Sequence, residues 1–243
     1  MAVLNDVILS AKDQSRKLLV MLIDPEKQYY REMLHSYLSL PDMIFVGGST
    51  GSHTDACIAY LRQFTESPVL LFPGNVEQFS PLADALLFLS LLNAQTADVL
   101  IKPHIHVARQ ILQAGIETIP MGYILIDGGR KSSVEIVTNC VPIPQYEIET
   151  IVSTAVAGQL LGKQLIYLEA GSGAETPIAS EIIRAVRTHL NTPLIVGGGI
   201  RTPHAMLQAY DAGADIVVVG NHFEQFPDEI GNFVLTKREI YGY

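Results

Sequence analysis

Eight short apolar runs punctuate this chain, each nearly continuous rather than alternating: Leu18–Ile23, Met43–Val46, Val69–Phe72, Leu86–Leu89, Thr118–Leu125, Gln164–Glu169, Leu194–Gly197 and Ile216–Val219. A strand with one wet face alternates apolar and polar residues. A continuous run means burial on both faces, which belongs to parallel sheets covered by helices. Amphipathic helical patterns fill most gaps, at Tyr29–Leu40, Thr54–Phe64, Ile105–Ala114, Tyr146–Leu161, Pro177–His189 and Pro203–Ala212. Residues Ala212–Asp215 carry the helix stop, with glycine at the C-terminal cap before the next strand. Eight strand–helix steps in 243 residues predict an α/β fold, a single (β/α)8 TIM barrel over residues 1–243. A hydrophobic content of 48% is enough to fill its core. One step is short. Between Phe72 and Leu86, Pro73, Gly74, Asn75 and Pro81 leave room for one or two helical turns, so the third helix is expected to be shortened or replaced by an irregular segment. Such a gap would open the barrel flank to an elongated apolar substrate; a merely shortened connection is the plainer outcome.

The last three runs end in glycine-rich turns: Leu165–Glu169 leads into Ala170–Gly173, Pro193–Val196 into Gly197–Gly199, and Asp215–Val219 into Gly220 and Asn221. Bare backbone lets N–H groups approach an anion closely. In a parallel barrel the loops after strands seven and eight commonly hold phosphate, so a phosphorylated small molecule is the expected ligand. The net charge of -9 argues against nucleic acid, which needs a basic stripe, and against adsorption to anionic lipid by charge alone. An acidic protein that handles anions must neutralise them locally, through backbone donors, a metal or both. Cys57 and Cys140 have no paired spacing and read as plain thiols of a reduced, cytoplasmic protein. The longest apolar stretch, Ala85–Leu92, is about half of what a bilayer crossing needs. Asn5, Asp6, Lys12 and Asp13 stand where a signal peptide would be apolar. Any contact with membrane lipid is therefore expected to be peripheral.

The motifs YLEAGSGA (Tyr167–Ala174), VGGGIR (Val196–Arg201) and AGADIVVVGN (Ala212–Asn221) together resemble the geranylgeranylglyceryl phosphate synthases. LIDPEK (Leu22–Lys27) and FVGGST (Phe45–Thr50) are similar to that family's metal-binding strands. FPGN (Phe72–Asn75) and GYILIDGG (Gly122–Gly129) are similar to its archaeal and Bacteroidetes-type branch, which is related to the heptaprenylglyceryl phosphate synthases. The resemblance runs through nearly the whole chain in order. It implies a prenyltransferase that joins geranylgeranyl diphosphate to sn-glycerol 1-phosphate through an ether bond and releases diphosphate. It also implies a homo-oligomer, a dimer or a hexamer.

What the resemblance implies for single residues can be checked against their chemistry. An allylic diphosphate ionises when its leaving group is neutralised, a task suited to Mg²⁺, which takes hard oxygen ligands from few protein groups. Asp24 closes the first strand and Thr50 lies just past the second, so both are expected as magnesium ligands; Ser49 is an adjacent hydroxyl, and Asp24 before proline also suits a turn. Glu169, at the mouth of the sixth strand, is the expected base for the glycerol hydroxyl or the stabiliser of the developing carbocation; the alternative is a rim salt bridge. Tyr167 points the same way on the strand, toward the glycerol or into core packing. The glycerol 1-phosphate site is expected to comprise Tyr167, Leu168, Glu169, Ala170, Gly171, Ser172 and Gly173, with Gly198, Gly199, Gly220 and Asn221. Arg201 either adds charge there or faces solvent. Where some family members carry a lysine two residues before the first-strand aspartate, this chain has Leu22, which leaves more of the work to the backbone cradle.

Other signals read more plainly. His104 and His106 lack partners at metal spacing and are expected as polar residues at a helix start, and Lys102, before Pro103, as a loop residue rather than a Schiff-base lysine. Asp127–Lys131 reads as a flexible loop at the mouth, with Arg130 and Lys131 able to close over diphosphate. A greasy groove for a C20 or longer tail is expected along Phe72, Pro73, Val76 and Phe79, with Pro120, Tyr123 and Ile124. Tyr146, beyond the stiff Cys140–Pro144 segment, either anchors a neighbouring subunit or packs on its own barrel. The branch resemblance favours geranylgeranyl diphosphate as donor, with a C35 heptaprenyl diphosphate as the alternative. A phosphosugar isomerase or lyase, and a non-catalytic barrel that binds a phosphometabolite, are the competing functions; neither accounts for both Asp24 and Glu169.

Overall fold

A computed structural model describes residues 2–27, 31, 35–48 and 53–243 of the chain. Its eight strands, β1 (Leu18–Ile23), β2 (Met43–Val46), β3 (Val69–Leu71), β4 (Ala85–Leu91), β5 (Glu117–Leu125), β6 (Leu165–Glu169), β7 (Leu194–Gly197) and β8 (Ile216–Val219), close in sequence order into one parallel barrel. Successive side chains on a strand point to opposite faces, and the core divides accordingly. Leu18, Val20, Met43, Phe45, Leu70, Leu87, Met121, Tyr167, Ile195 and Val218 fill the barrel interior. Leu19, Met21, Ile44, Val46, Ile166, Leu168, Val196 and Val217 face outward against the helices. Full burial of each such aliphatic side chain contributes about 1.5–3 kcal/mol.

The helices described are α1 (Ser10–Asp13), α2 (Thr54–Leu61), α3 (Ala97–Ala114), α4 (Ser133–Thr138), α5 (Ile148–Leu160), α6 (Ser180–His189), α7 (Pro203–Asp211), α8 (Asn221–Gln225) and α9 (Ile230–Tyr241). A wide helical segment, Val3–Leu9, precedes α1; its Val3, Leu4 and Ile8 join the interior cluster. The Glu117 carboxylate at the start of β5 accepts from the N–H groups of Val3 and Leu4 at 2.5 and 3.0 Å, holding this segment to the barrel. At the C-terminal end, α9 buries Ile230, Phe233 and Val234, and Lys237 reaches Asp42 and the Lys17 carbonyl. The expected helix at 29–40 falls partly on residues outside those described; His35–Tyr37 forms a 3-10 turn.

As the sequence predicts, no regular helix follows β3. In its place stands a 3-10 turn, Val76–Gln78, capped by the Asn75 side chain, which accepts from the Glu77 N–H at 2.9 Å. Gln78 is buried and accepts from the Gly74 N–H at 2.8 Å, so the segment is ordered by its own polar groups. Pro73 also carries the chain away from β4: β3 pairs with β4 only at Leu70–Ala85 and Leu71–Leu86. From Leu87 to Leu91, β4 pairs with β5 alone. The barrel wall is therefore split between β3 and β4 above Leu71.

Across the split, α3 begins at Ala97, well before the expected start at Ile105, and runs through Pro103. A proline inside a helix removes one N–H donor and normally marks an end, which is why the sequence pattern suggests a later start. Lys102 consequently lies on a helix, not a loop, paired with Asp98 one turn earlier at 2.6 Å. His104 lies within the helix and not at its start.

Candidate active site

The loops at the carboxyl ends of the strands surround one cavity of about 820 Å3, which continues through the split onto the barrel flank. Glu169, the last residue of β6, stands in its floor. It is 8% exposed, and its Oε1 accepts from the Gly171 N–H at 2.8 Å. The Tyr167 hydroxyl donates to the same carboxylate. Burial pushes the Glu169 carboxyl above its ordinary range, and the two hydrogen bonds oppose that shift. Glu169 makes no ion pair among the described residues, which removes the rim salt bridge.

Tyr167 is both core and site. Its ring lies against Phe72 and Tyr123, with centroids 5.7 and 5.4 Å away, while its hydroxyl reaches Glu169. Gly197 sits opposite Glu169 in the β6–β7 register. A Cβ there would fall 2.2 Å from the Tyr167 hydroxyl and 2.8 Å from Glu169 Oε2, so only glycine leaves this pair in place.

The three glycine turns meet above Glu169. Gly171, Gly173, Gly198 and Gly199 have φ of +97°, +76°, +83° and +71°, backbone that side chains rarely adopt. Gly171, Ser172, Gly173, Gly198, Gly199, Gly220 and Asn221 all line the cavity. The Asn221 amide donates to the Ser172 hydroxyl at 3.1 Å, tying the first turn to the third. Leu168 and Ala170, expected at this site, do not line it. Strand alternation turns Leu168 into the outer layer, and Ala170 is buried there too, its N–H bonded to Gly197. Arg201 is exposed at the edge of the cavity, and its guanidinium donates to the carbonyls of Ala174 and Glu175 at 2.5 and 3.3 Å, bracing the first turn from the side. Leu22 packs beneath Gly220, an apolar contact where a cation is absent.

Asp24 lines the same cavity, just past β1. Its Oδ1 accepts from the Glu26 N–H at 3.1 Å, the turn bond that an aspartate before proline suits. A Cβ on Gly48 would lie 2.6 Å from Oδ1, so that glycine makes space for the carboxylate. Burial raises the Asp24 carboxyl from its ordinary range. Thr50 and Ser49 lie outside the described residues. No group of three or more His, Cys, Asp or Glu side chains able to hold a metal occurs among the described residues. One half-buried carboxylate open to an anion site suits magnesium, which takes one or two protein oxygens and completes its shell with water and phosphate. Nearby, Lys27 pairs with Glu224 at 2.8 Å.

The apolar limb of the cavity runs through the split. Phe72, Pro73, Val76 and Phe79 form one wall, and α3 supplies Val107 and Ile111. Leu86 and Phe88, on the outward face of β4, form its floor. Tyr123 lines it, whereas Pro120 and Ile124 do not: both sit at outward positions of β5. His104 stacks on Phe88 with centroids 4.2 Å apart, and its Nε2 lies 2.7 Å from the Leu89 carbonyl, a group on the unpaired edge of β4. Sequence reasoning missed this wall, since its signal, a histidine in register with an edge strand, appears only once α3 is placed.

The Asp127–Lys131 loop is held rather than free. Gly128 accepts from the N–H groups of Glu175 and Thr176 at 2.8 and 3.2 Å, and Asp127 turns on the Gly129 N–H at 2.8 Å. Arg130 therefore stands beside Gly173, and Lys131 is exposed. Tyr146 is 83% exposed and does not pack on its own barrel; Cys57 and Cys140 are buried free thiols.

The PcrB family model matches residues 12–237. A geranylgeranylglyceryl phosphate synthase of Zunongwangia profunda is 47% identical over 90% of this chain and 96% of its own length. One of Flavobacterium johnsoniae is 42% identical over 91% and 93%. The crystal structure of (S)-3-O-geranylgeranylglyceryl phosphate synthase from Thermoplasma acidophilum in complex with sn-glycerol-1-phosphate superposes with a TM-score of 0.89 at 34% identity, covering 98% of this chain and 99% of that one. With a family model and relatives matched over nearly its whole length, the chain belongs to the PcrB family and is a prenyltransferase.

Proposed function

We propose that this prenyltransferase joins geranylgeranyl diphosphate to sn-glycerol 1-phosphate, forming an ether bond and releasing diphosphate. The observation that carries the reading is the continuity of one cavity: a backbone anion cradle, a buried carboxylate and an apolar groove follow each other in the order this reaction needs. The phosphate rests on the glycine turns, with Ser172 and Asn221 as neutral donors. The glycerol hydroxyl then meets Glu169. As the oxygen forms its bond to the allylic carbon, the bond from that carbon to diphosphate breaks and the leaving group takes the electron pair. The hydroxyl proton passes to Glu169, whose burial makes it a stronger base. The same negative charge stabilises the cationic carbon. Asp24, with Thr50 as the second ligand the sequence suggests, would hold magnesium, which when bound neutralises the departing diphosphate. Phe72 and Tyr123 exclude water from the reacting carbon, and the split admits the tail.

Strand ends that carry one base, one hard carboxylate and glycines do not suit a Schiff-base lyase; Lys102 sits on α3, paired with Asp98. The name shared by the relatives supports the C20 donor over the C35 one. No helix among the described residues is long and apolar enough to cross a membrane. Together with the two free thiols, this supports a cytoplasmic enzyme that meets membrane lipid peripherally. Exposed Tyr146 supports assembly into a homo-oligomer. The test is a single reaction containing magnesium, sn-glycerol 1-phosphate and equal C20 and C35 diphosphates, read by mass. The C20 ether should dominate. A C35 product would overturn the donor, and no ether product at all would overturn the function.

A further inference from the structure

The cradle described above has one deficit. Its contacts are backbone N–H groups, a hydroxyl and a carboxamide, yet a phosphomonoester carries close to two negative charges and the same cavity holds Glu169 and Asp24. The cations that line the cavity are already engaged. Lys27 is paired with Glu224 and Lys102 with Asp98, and Arg201 has its Nη1 and Nη2 turned onto the carbonyls of Glu175 and Ala174, where it braces the first turn. At the end of β1 the side chain beneath Gly220 is Leu22, which has no charge to give.

Arg130 is different. Its guanidinium has no hydrogen bond and no ion pair among the described residues. Its Nη1 lies 3.7 Å from the point where a Cβ on Gly173 would be, and the Asn221 Nδ2 lies at the same distance from that point. Two nitrogen donors from different loops thus converge on the space left open by one glycine. The loop that carries Arg130 is fixed on both sides. Asp127 is bonded through its backbone to Ile143 and Gln145, and Gly128 approaches Ala170 so closely that a Cβ would lie 2.2 Å from that carbonyl. On the far side, Ser132 is buried, caps α4 together with Glu135, and packs against Gly171. The guanidinium is accordingly presented to the cradle by a preorganised turn.

We infer that Arg130 is the cationic ligand of the phosphate of the acceptor, completing the cradle with Ser172 and Asn221. It supplies the charge that Leu22 cannot. The inference deepens the function proposed above and rests on it for the identity of the phosphomonoester. A guanidinium matches two phosphate oxygens at once, and a charge-assisted bond is about twice as strong as a neutral one.

The experiment compares Arg130→Met and Arg130→Lys with the parent enzyme, with inorganic phosphate as the binding probe. Arg130→Met should raise KM for sn-glycerol 1-phosphate and the inhibition constant of phosphate together, by about ten- to a hundredfold. KM for the prenyl diphosphate and the melting temperature should stay unchanged, because the side chain is exposed and unpartnered. Arg130→Lys should recover part of the loss, and the salt dependence of the acceptor KM should flatten in Arg130→Met. An unchanged acceptor KM overturns the inference, and so does a defect confined to the diphosphate donor. Phosphate should also raise the melting temperature of the parent but not of Arg130→Met. If that holds while the parent forms no ether product, the function proposed above fails and the phosphate site stands.

Discussion

Glu169→Gln separates the chemistry of the site from its architecture. The amide oxygen can still accept from the Gly171 N–H, and the Tyr167 hydroxyl can turn to accept from the amide nitrogen, so both buried bonds survive in form. The change in stability from those bonds should stay within about 1 kcal/mol, or about 2–4 °C in melting temperature for a chain of this size. Turnover should fall by about 10²-fold or more, equivalent to about 2.7 kcal/mol of transition-state stabilisation. The pH dependence adds a second reading. Burial raises the Glu169 carboxyl above its ordinary 4.5, so the folded protein holds that proton more tightly than the unfolded chain does. The stability contributed by this group is present in full below pH 4.5 and is lost as pH rises through the folded-state value. The glutamine variant does not titrate there. Its melting temperature should therefore gain on the parent as pH rises through that window, then run parallel, even though it is the less active protein. Thermal melts of both proteins from acid to neutral pH, with single-turnover rates beside them, provide the measurement. Near-parental turnover would refute the role of the carboxylate. Melting curves parallel at every pH would refute the raised pKa.

Asp24→Ala should abolish turnover at saturating magnesium yet lower the melting temperature by only about 2–4 °C, since it removes one turn hydrogen bond worth about 1 kcal/mol; retained activity removes Asp24 from the mechanism. Ser172→Ala should weaken acceptor binding about fivefold, the equivalent of about 1 kcal/mol, with kcat nearly unchanged; isothermal titration with sn-glycerol 1-phosphate and steady-state rates check it, and a pure kcat defect would contradict the cradle. Tyr146→Ala should lower the mass seen by light scattering if this exposed ring anchors a second copy of the chain; an unchanged mass discards the anchor.

The barrel was legible because its strands are buried on both faces, so each reads as an unbroken apolar run whatever its neighbours are. The site was legible where chemistry and chain position coincide: Glu169 ends a strand, and the glycines mark turns that only they can make. What escaped depends on contacts distant in sequence. Leu168 and Ala170 flank Glu169 in the motif, yet the pleat turns Leu168 away from the cavity and Ala170 is buried with it. Pro103 signals a helix end, but α3 carries on through it, and His104 gains its place from the Leu89 carbonyl across the split. Helix α9 went unread because its moderate amphipathic pattern follows the last strand, where the repeat no longer requires one. Arg201 and Arg130, two arginines of similar promise in the sequence, differ only in what folding brings beside them.

The missing helix after β3 also changes what the outside of the sheet is for. In a closed barrel of this kind, inward residues near the strand ends carry specificity, and outward ones serve only as packing for the helical ring. Here Leu86 and Phe88 are outward residues that share the cavity wall with α3, with His104 stacked on Phe88. Substitutions at these two positions therefore bear on substrate preference as well as on stability. The outer surface of β4 thus takes part in binding, while the same face of β6 or β8 serves only to pack the helices.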